Sequence, residues 1–93
     1  MYLVCIFTDE SNKKFIVAGG NNKVEVYFSL SKSLGSSASL VAYNKLVMLK
    51  HYLSESDGKT YLELISKLNQ KELFKLLMHE NGNLIDLSKH LNA

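Results

Sequence analysis

Hydrophobic residues in the first twenty positions form two short runs that are separated by a turn. The run Tyr2–Thr8 is almost continuously apolar and rich in β-branched and aromatic side chains, which predicts a strand covered on both faces. Turn-forming residues follow at positions 9–12, and a second apolar run occupies positions 15–18. The pattern predicts an N-terminal β-hairpin that ends at residues 19–22, because Gly and Asn tolerate a positive φ angle.

The segment Lys23–Leu34 fits two patterns. Read as a half-buried strand, it alternates apolar and polar residues through Val24, Val26, Phe28 and Leu30. Read as a helix, it carries an apolar face formed by Val24, Tyr27, Phe28 and Leu34. Periodicity alone leaves both structures open. A break is predicted at residues 35–37 (GSS), and the apolar run at 45–53 predicts another strand.

The residues after Ser54 have a helical pattern. Ser54, Ser56 and Asp57 can each cap a helix, and the apolar residues of that helix are Tyr61, Leu62, Ile65 and Leu68. Asn69 and Glu72 have the spacing of a capping box for a second helix, whose apolar residues Leu73, Phe74, Leu76 and Leu77 are expected to face inward. Asn81 and Gly82 are suited to a left-handed C-cap that ends this helix.

Together these elements predict an α+β fold. A small three-stranded sheet, made of the N-terminal β-hairpin and one later strand, packs with helices, and the C-terminal half is helical. The chain has 93 residues, of which 46% are hydrophobic and 22% charged, and it contains no proline. This composition is that of an ordinary globular protein, so residues 1–93 are expected to form a single domain.

Charge and cysteine content restrict the function only slightly. The net charge is +2, and all 11 basic residues are lysine, so the bidentate arginine contacts that read guanine are absent. Cys5 is the only cysteine, which points to a reducing compartment and to a small core residue. No apolar run is long enough to span a membrane. A cytoplasmic, intracellular protein with no membrane contact is expected.

The residue types that carry chemistry do not form a recognisable catalytic site. Gly19 and Gly20 lack the remaining residues of a dinucleotide or phosphate-binding loop, and the three histidines are not spaced as metal ligands. No cofactor is therefore expected. Lys67, Lys71 and Lys75 recur every four residues and are candidate contacts to nucleic acid. The alternative is the solvated side of an amphipathic helix, with Glu63 and Lys67 forming a stabilising pair.

Several segments of the second half suggest a family. Residues 45–49 (KLVML), 60–68 (TYLELISKL) and 67–72 (KLNQKE) resemble a third strand, the helix after it and the start of the next helix in short stand-alone members of the GIY-YIG nuclease superfamily. In the first half, residues 2–4 (YLV) and 15–17 (FIV) lie where the family has its GIY and YIG triplets. The resemblance covers residues 2–91 and implies that Lys23–Leu34 is a helix.

The resemblance also implies a site whose chemistry has been lost. Active members use the two motif tyrosines, an arginine on the first helix and a glutamate that binds a divalent metal ion. The matching positions here hold Val4, Phe15 and Leu62, and the chain has no arginine. Glu63 is one residue from the glutamate position, which turns it by about 100° on a helix. The implied function is a catalytically inactive scaffold that binds a protein partner or, weakly, nucleic acid.

Two other functions remain open from the sequence. The first is a divergent endonuclease that uses Glu63, Tyr27 and Tyr61 with Mg²⁺ or Mn²⁺. The second is a small regulator, because residues 72–93 look like the first two helices of a helix-turn-helix.

Overall fold

The computed structural model describes residues 1–34 and 43–91. Its strands are β1 (Tyr2–Thr8), β2 (Phe15–Gly20) and β3 (Lys45–Tyr52), and its helices are α1 (Lys23–Leu34), α2 (Glu55–Ser66), α3 (Gln70–Glu80) and α4 (Ser88–Leu91). The predicted α+β class, with a hairpin, one later strand and a helical C-terminal half, is confirmed. The break predicted at 35–37 lies outside the described residues.

The three strands form one antiparallel sheet with β1 in the centre, in the order β2-β1-β3. All seven residues of β1 are buried, as its continuous hydrophobicity predicted, because β1 has a strand on each side and helices on both faces. The hairpin turn uses Asn12, whose φ is 56°, a conformation that asparagine adopts more readily than most residues. Lys45 at the start of β3 donates to the Asn12 side chain at 2.9 Å.

Alternate residues of β1 support two separate cores. Val4 and Ile6 belong to the core under α2 and α3, whereas Cys5 and Phe7 belong to the core under α1 and α4. Because side chains of a strand alternate between faces, the central strand holds both cores together. The described fold is therefore a sheet between two helical layers.

Helix α1 resolves the ambiguity of the segment Lys23–Leu34. Val26 and Leu30 are fully buried, whereas Val24 and Phe28 are 77% and 63% exposed. Val26 and Leu30 are four residues apart, so they lie on one face of the helix. The segment looked like an alternating strand because Val24 and Phe28, which face solvent, are also apolar.

The two glycines before α1 serve close packing. The hairpin ends within the predicted range 19–22, because β2 continues through Gly20 and α1 begins at Lys23. A Cβ atom on Gly20 would lie 2.5 Å from the Cβ atom of Glu25. The first turn of α1 thus approaches the strand closely enough to require glycine.

Helix caps agree with the sequence at two of three sites. Ser54 accepts from the Asp57 N–H at 3.3 Å, and Asn69 and Glu72 form the predicted capping box at 2.8 and 3.0 Å. The left-handed cap predicted at the end of α3 is wrong, since φ of Asn81 is −155° and φ of Gly82 is not in the left-handed range either. The Asn81 side chain instead donates to the carbonyls of Val47 and Ile85, at 3.1 and 2.8 Å.

The last helix lies on the other side of the sheet from α3. Leu91 of α4 packs in the core under α1, whereas Leu73 and Leu77 of α3 pack in the opposite core. The helices of residues 72–91 therefore do not form the compact pair expected of a helix-turn-helix. In the described part of the chain, no helix is long and apolar enough to cross a membrane.

Candidate functional site

Two of the three positions matched to the nuclease motifs meet at Gly19. Val4 is the cross-strand partner of Gly19, and a Cβ atom on Gly19 would lie 2.8 Å from Leu62 Cδ2 and 3.0 Å from the Tyr2 hydroxyl. Leu62 is half-buried and packs against the core under α2. The place where the resemblance implies a metal-binding glutamate thus holds an apolar contact.

Phe15, the third matched position, lies elsewhere on the hairpin. It pairs with Thr8, four residues along β2 from Gly19, or roughly 13 Å at 3.3 Å per residue. Its ring packs against Phe74 with the centroids 6.2 Å apart, and the Gln70 side chain bonds both its N–H and its carbonyl, at 2.6 and 2.9 Å. Phe15 anchors α3 and does not join Val4 and Leu62.

An open cleft of about 440 Å³ lies beside Gly19, and we call it the Tyr2 cleft. Its lining residues come from β1, β2, α1, α2 and the turn between β2 and α1. They are Tyr2, Gly19, Gly20, Asn21, Glu25, Phe28, Ser29, Lys32, Ser33 and Lys59. Gly58 lets α2 close one side of it, since a Cβ atom there would lie 2.4 Å from the Tyr2 ring.

Most polar groups of the Tyr2 cleft bond to one another. Ser29 Oγ accepts from the Gly19 N–H at 3.2 Å. Asn21 Nδ2 donates to Glu25 at 3.2 Å and to Glu55 at 2.6 Å. The hydrogen bond from Asn21, followed by the contact with Lys59, lowers the pKa of the Glu55 carboxyl. These bonds join the first turns of α1 and α2 at the end of β2.

The remaining donors of the Tyr2 cleft can interact with an anion. Burial raises the pKa of the Tyr2 hydroxyl despite the opposing charge of Lys59, so this hydroxyl is protonated at neutral pH. Lys32 Nζ lies 4.7 Å from the centre of the Phe28 ring, and Lys59 pairs with Glu55 at 3.4 Å. The cleft offers two ammonium groups and a hydroxyl, but one ammonium already has a carboxylate partner.

The residues proposed for a divergent nuclease do not converge. Glu63 is an exposed residue of α2 that pairs with Lys67 at 3.5 Å, as the sequence predicted. Tyr61 packs against Tyr52 with the ring centroids 5.7 Å apart, whereas Tyr27 packs against Phe7 on the opposite face of the sheet. Within residues 1–34 and 43–91, no group of three or more His, Cys, Asp or Glu side chains could hold a metal ion.

The lysines proposed to contact nucleic acid separate into two places. Lys67 caps the C-terminus of α2 and is paired with Glu63, whereas Lys71 and Lys75 lie on the exposed side of α3. The latter two border an open apolar groove of about 620 Å³, which we call the α3 groove and which is lined by Lys71, Phe74, Lys75, Met78 and His79. Three of these residues form a basic row, and the other two form an apolar row beside it.

Phe74 is the functional candidate that the sequence pattern misassigned. The expectation that it faces inward with Leu73 and Leu77 is wrong. Phe74 is 43% exposed and Met78 39% exposed, whereas Leu73 and Leu77 are buried. Neighbouring helix residues differ in direction by about 100°, and the lysines three residues before and one after Phe74 were the signal that it borders solvent.

Cys5 is a core residue, as predicted. It is fully buried, and burial raises the pKa of its thiol to about 12, so it provides no thiolate nucleophile at neutral pH.

We compared the chain with family models, curated proteins and solved structures, and none of the three comparisons found a match.

Proposed function

We propose that this protein is a binding module for a protein partner, built on a GIY-YIG-like scaffold that does not hydrolyse phosphodiesters. The order of its elements supports the relationship, since the hairpin, α1, β3, α2 and α3 follow one another as the resemblance implies. The helical structure of Lys23–Leu34 adds to this support. The resemblance implies a helix there, whereas the sequence pattern alone fitted both a helix and a strand.

The packing of Leu62 against Gly19 is the observation that carries the non-catalytic part. A metal-dependent nuclease needs a carboxylate to hold the cation and a group that activates water. Leu62 and Val4 have neither function, and their side chains contribute to the core. Glu63 points away and pairs with Lys67, so it does not substitute for the missing carboxylate.

The exposed apolar pair Phe74 and Met78 favours a protein partner over nucleic acid. Contiguous exposed apolar surface with a polar rim marks protein interaction sites, and aromatic residues and Met are enriched in interfaces. Lys71 and Lys75 beside them add only a local positive charge. A contact with nucleic acid that rests on two lysines would be weak and would depend strongly on salt concentration.

A cleavage assay tests this function. Labelled single- and double-stranded DNA and RNA are incubated with the protein and with Mg²⁺ or Mn²⁺, and the Glu63→Ala variant serves as the control. We expect no cleavage above a protein-free reaction in either cation. Cleavage that the Glu63→Ala variant loses would overturn the proposal and support the divergent endonuclease.

A fluorescence titration with the same oligonucleotides at two salt concentrations tests the choice of partner. We expect at most weak binding that disappears at the higher salt concentration. Tight binding that persists at the higher salt concentration would indicate that the partner is nucleic acid and not a protein.

A further inference from the structure

We propose that the α3 groove is the docking surface for an acidic amphipathic helix of a partner protein. This inference rests on the proposed function, and it adds the chemistry of the partner and the place where it binds.

The geometry of the groove points to a helix. Lys71, Lys75 and His79 are spaced by four residues, and so are Phe74 and Met78. Rows with this spacing form parallel ridges on a helix surface, and the groove between two such ridges accepts a ridge of a second helix. The α3 groove lies between these two rows and is open to solvent.

The charge of the groove points to an acidic partner. The two acidic residues of α3 are bonded elsewhere, because Glu72 accepts from the Asn69 N–H at 3.0 Å and Glu80 pairs with Lys50 at 3.0 Å. In the part of the chain that the structure describes, Lys71 and Lys75 form no ion pair. Carboxylates on a docked helix would supply these lysines with partners and steer its approach.

The same charge argues against a second copy of this chain. Two α3 grooves facing each other would bring Lys71 and Lys75 of one copy near those of the other, and like charges in contact oppose association. The apolar row is also anchored in a way that suits a preformed site. Phe74 packs on Phe15, whose backbone is held by Gln70, so little side-chain freedom is lost when a partner covers it.

Three synthetic peptides of about 18 residues, or five helical turns, test the proposal. The first is an amphipathic helix with Leu on one side and Glu on its flanks. The second carries Lys at every Glu position, and the third is a scrambled isomer of the first without an apolar face. Each is titrated into the ¹⁵N-labelled protein while the backbone amide shifts are followed.

We expect saturable shifts at α3 residues 71–79 with the acidic amphipathic peptide and at least tenfold weaker binding of the other two. Phe74→Ala should lower the affinity for the first peptide at least tenfold, because truncation of a central aromatic residue removes a large share of the binding energy. Phe28→Ala is the matched control, an exposed aromatic residue with a lysine four positions later. It should change the affinity less than twofold.

Folding of the Phe74→Ala variant is checked by its amide spectrum, and Met78→Ser provides a second test without touching Phe15. The proposal is overturned if the acidic peptide does not bind at millimolar concentration, binds at the Tyr2 cleft, or is displaced from α3 by an oligonucleotide. Shifts at α3 that depend on protein concentration without peptide would indicate a second copy and also overturn it. None of these results bears on the proposed absence of nuclease activity, because only the cleavage assay tests it.

Discussion

The Tyr2 cleft and the α3 groove have similar residue types but use them differently. Both contain two lysines and an exposed aromatic residue. In the Tyr2 cleft, most polar groups bond to one another and hold the first turns of α1 and α2 against β2. In the α3 groove, the acids of the helix bond to residues outside the groove, and the lysines remain beside an exposed apolar row. Among the described residues, the Tyr2 cleft has one lysine without a carboxylate partner, Lys32, which lies over the Phe28 ring. The α3 groove has two, Lys71 and Lys75, and is therefore the better candidate for binding an acidic partner.

The largest expected effect separates the two sides of α3. Leu77→Ala should lower the free energy of unfolding by about 2–5 kcal/mol, because Leu77 is fully buried and its truncation leaves a cavity. Met78→Ala, one residue later and 39% exposed, should change it by less than about 1 kcal/mol. Urea denaturation of both variants measures the difference. Equal losses would mean that Met78 is part of the core and not of a binding surface.

The next effect concerns the wall of the Tyr2 cleft. Gly58→Ala should destabilise the protein by about 1–3 kcal/mol, since the new methyl group would overlap the Tyr2 ring. Alanine otherwise favours a helix over glycine by about 1 kcal/mol, so the sign of the change decides between the two effects. Thermal unfolding by circular dichroism measures it. Stabilisation would show that α2 and Tyr2 are less closely packed than described.

A smaller effect is expected where α3 ends. Asn81→Ala removes the hydrogen bonds that join this end to Val47 and Ile85, which should cost about 1–2 kcal/mol. Asn81→Gly serves as a control, because it would restore stability if the helix needed only a left-handed cap. Denaturant midpoints that fall in both variants support the role of the side chain.

The smallest effect is a pH dependence at Asp86. Burial would raise the pKa of this carboxyl, but hydrogen bonds from the N–H groups of Ser88 and Leu46, at 2.9 and 3.1 Å, outweigh it and lower the pKa below its ordinary value of 3.8. A depressed pKa stabilises the folded state above the unfolded pKa, and this contribution is lost as the pH falls through the folded pKa.

The free energy of unfolding of the wild-type protein should therefore be higher than that of Asp86→Asn by a constant amount above about pH 5. This difference should shrink at lower pH. Urea denaturation across this range measures it. A difference that grows toward acid pH would contradict the described hydrogen bonds.

Much of the fold could be predicted because strong local patterns agreed with the tertiary structure. The unbroken apolar run of β1 indicated burial on both faces, and Asn69 with Glu72 indicated the capping box. Tertiary packing decided the rest. Gly20 serves close approach to Glu25, and Asn81 bonds to Val47 of β3, which lies 34 residues away in the chain. Neither contact leaves a signal in the neighbouring sequence.

The candidate site was only partly predictable, for the same reason. The spacing of Lys71 and Lys75 correctly put them on one side of a helix, but four apolar residues between positions 73 and 77 hid which of them face the core. The Tyr2 cleft was missed because its residues come from four elements. The sequence alone showed that Val4 and Leu62 cannot bind a metal ion or transfer a proton. That Phe15 lies apart from both became clear only from the strand register.

The comparison between the two surfaces is tested most directly by two double charge reversals with the same net charge. Lys71→Glu/Lys75→Glu alters the α3 groove, and Lys32→Glu/Lys59→Glu alters the Tyr2 cleft. Fluorescence anisotropy gives the affinity of the acidic amphipathic peptide for each. We predict at least a tenfold loss in the first variant and less than a twofold change in the second. Equal losses, or a larger loss in the second variant, would contradict the assignment of partner binding to α3.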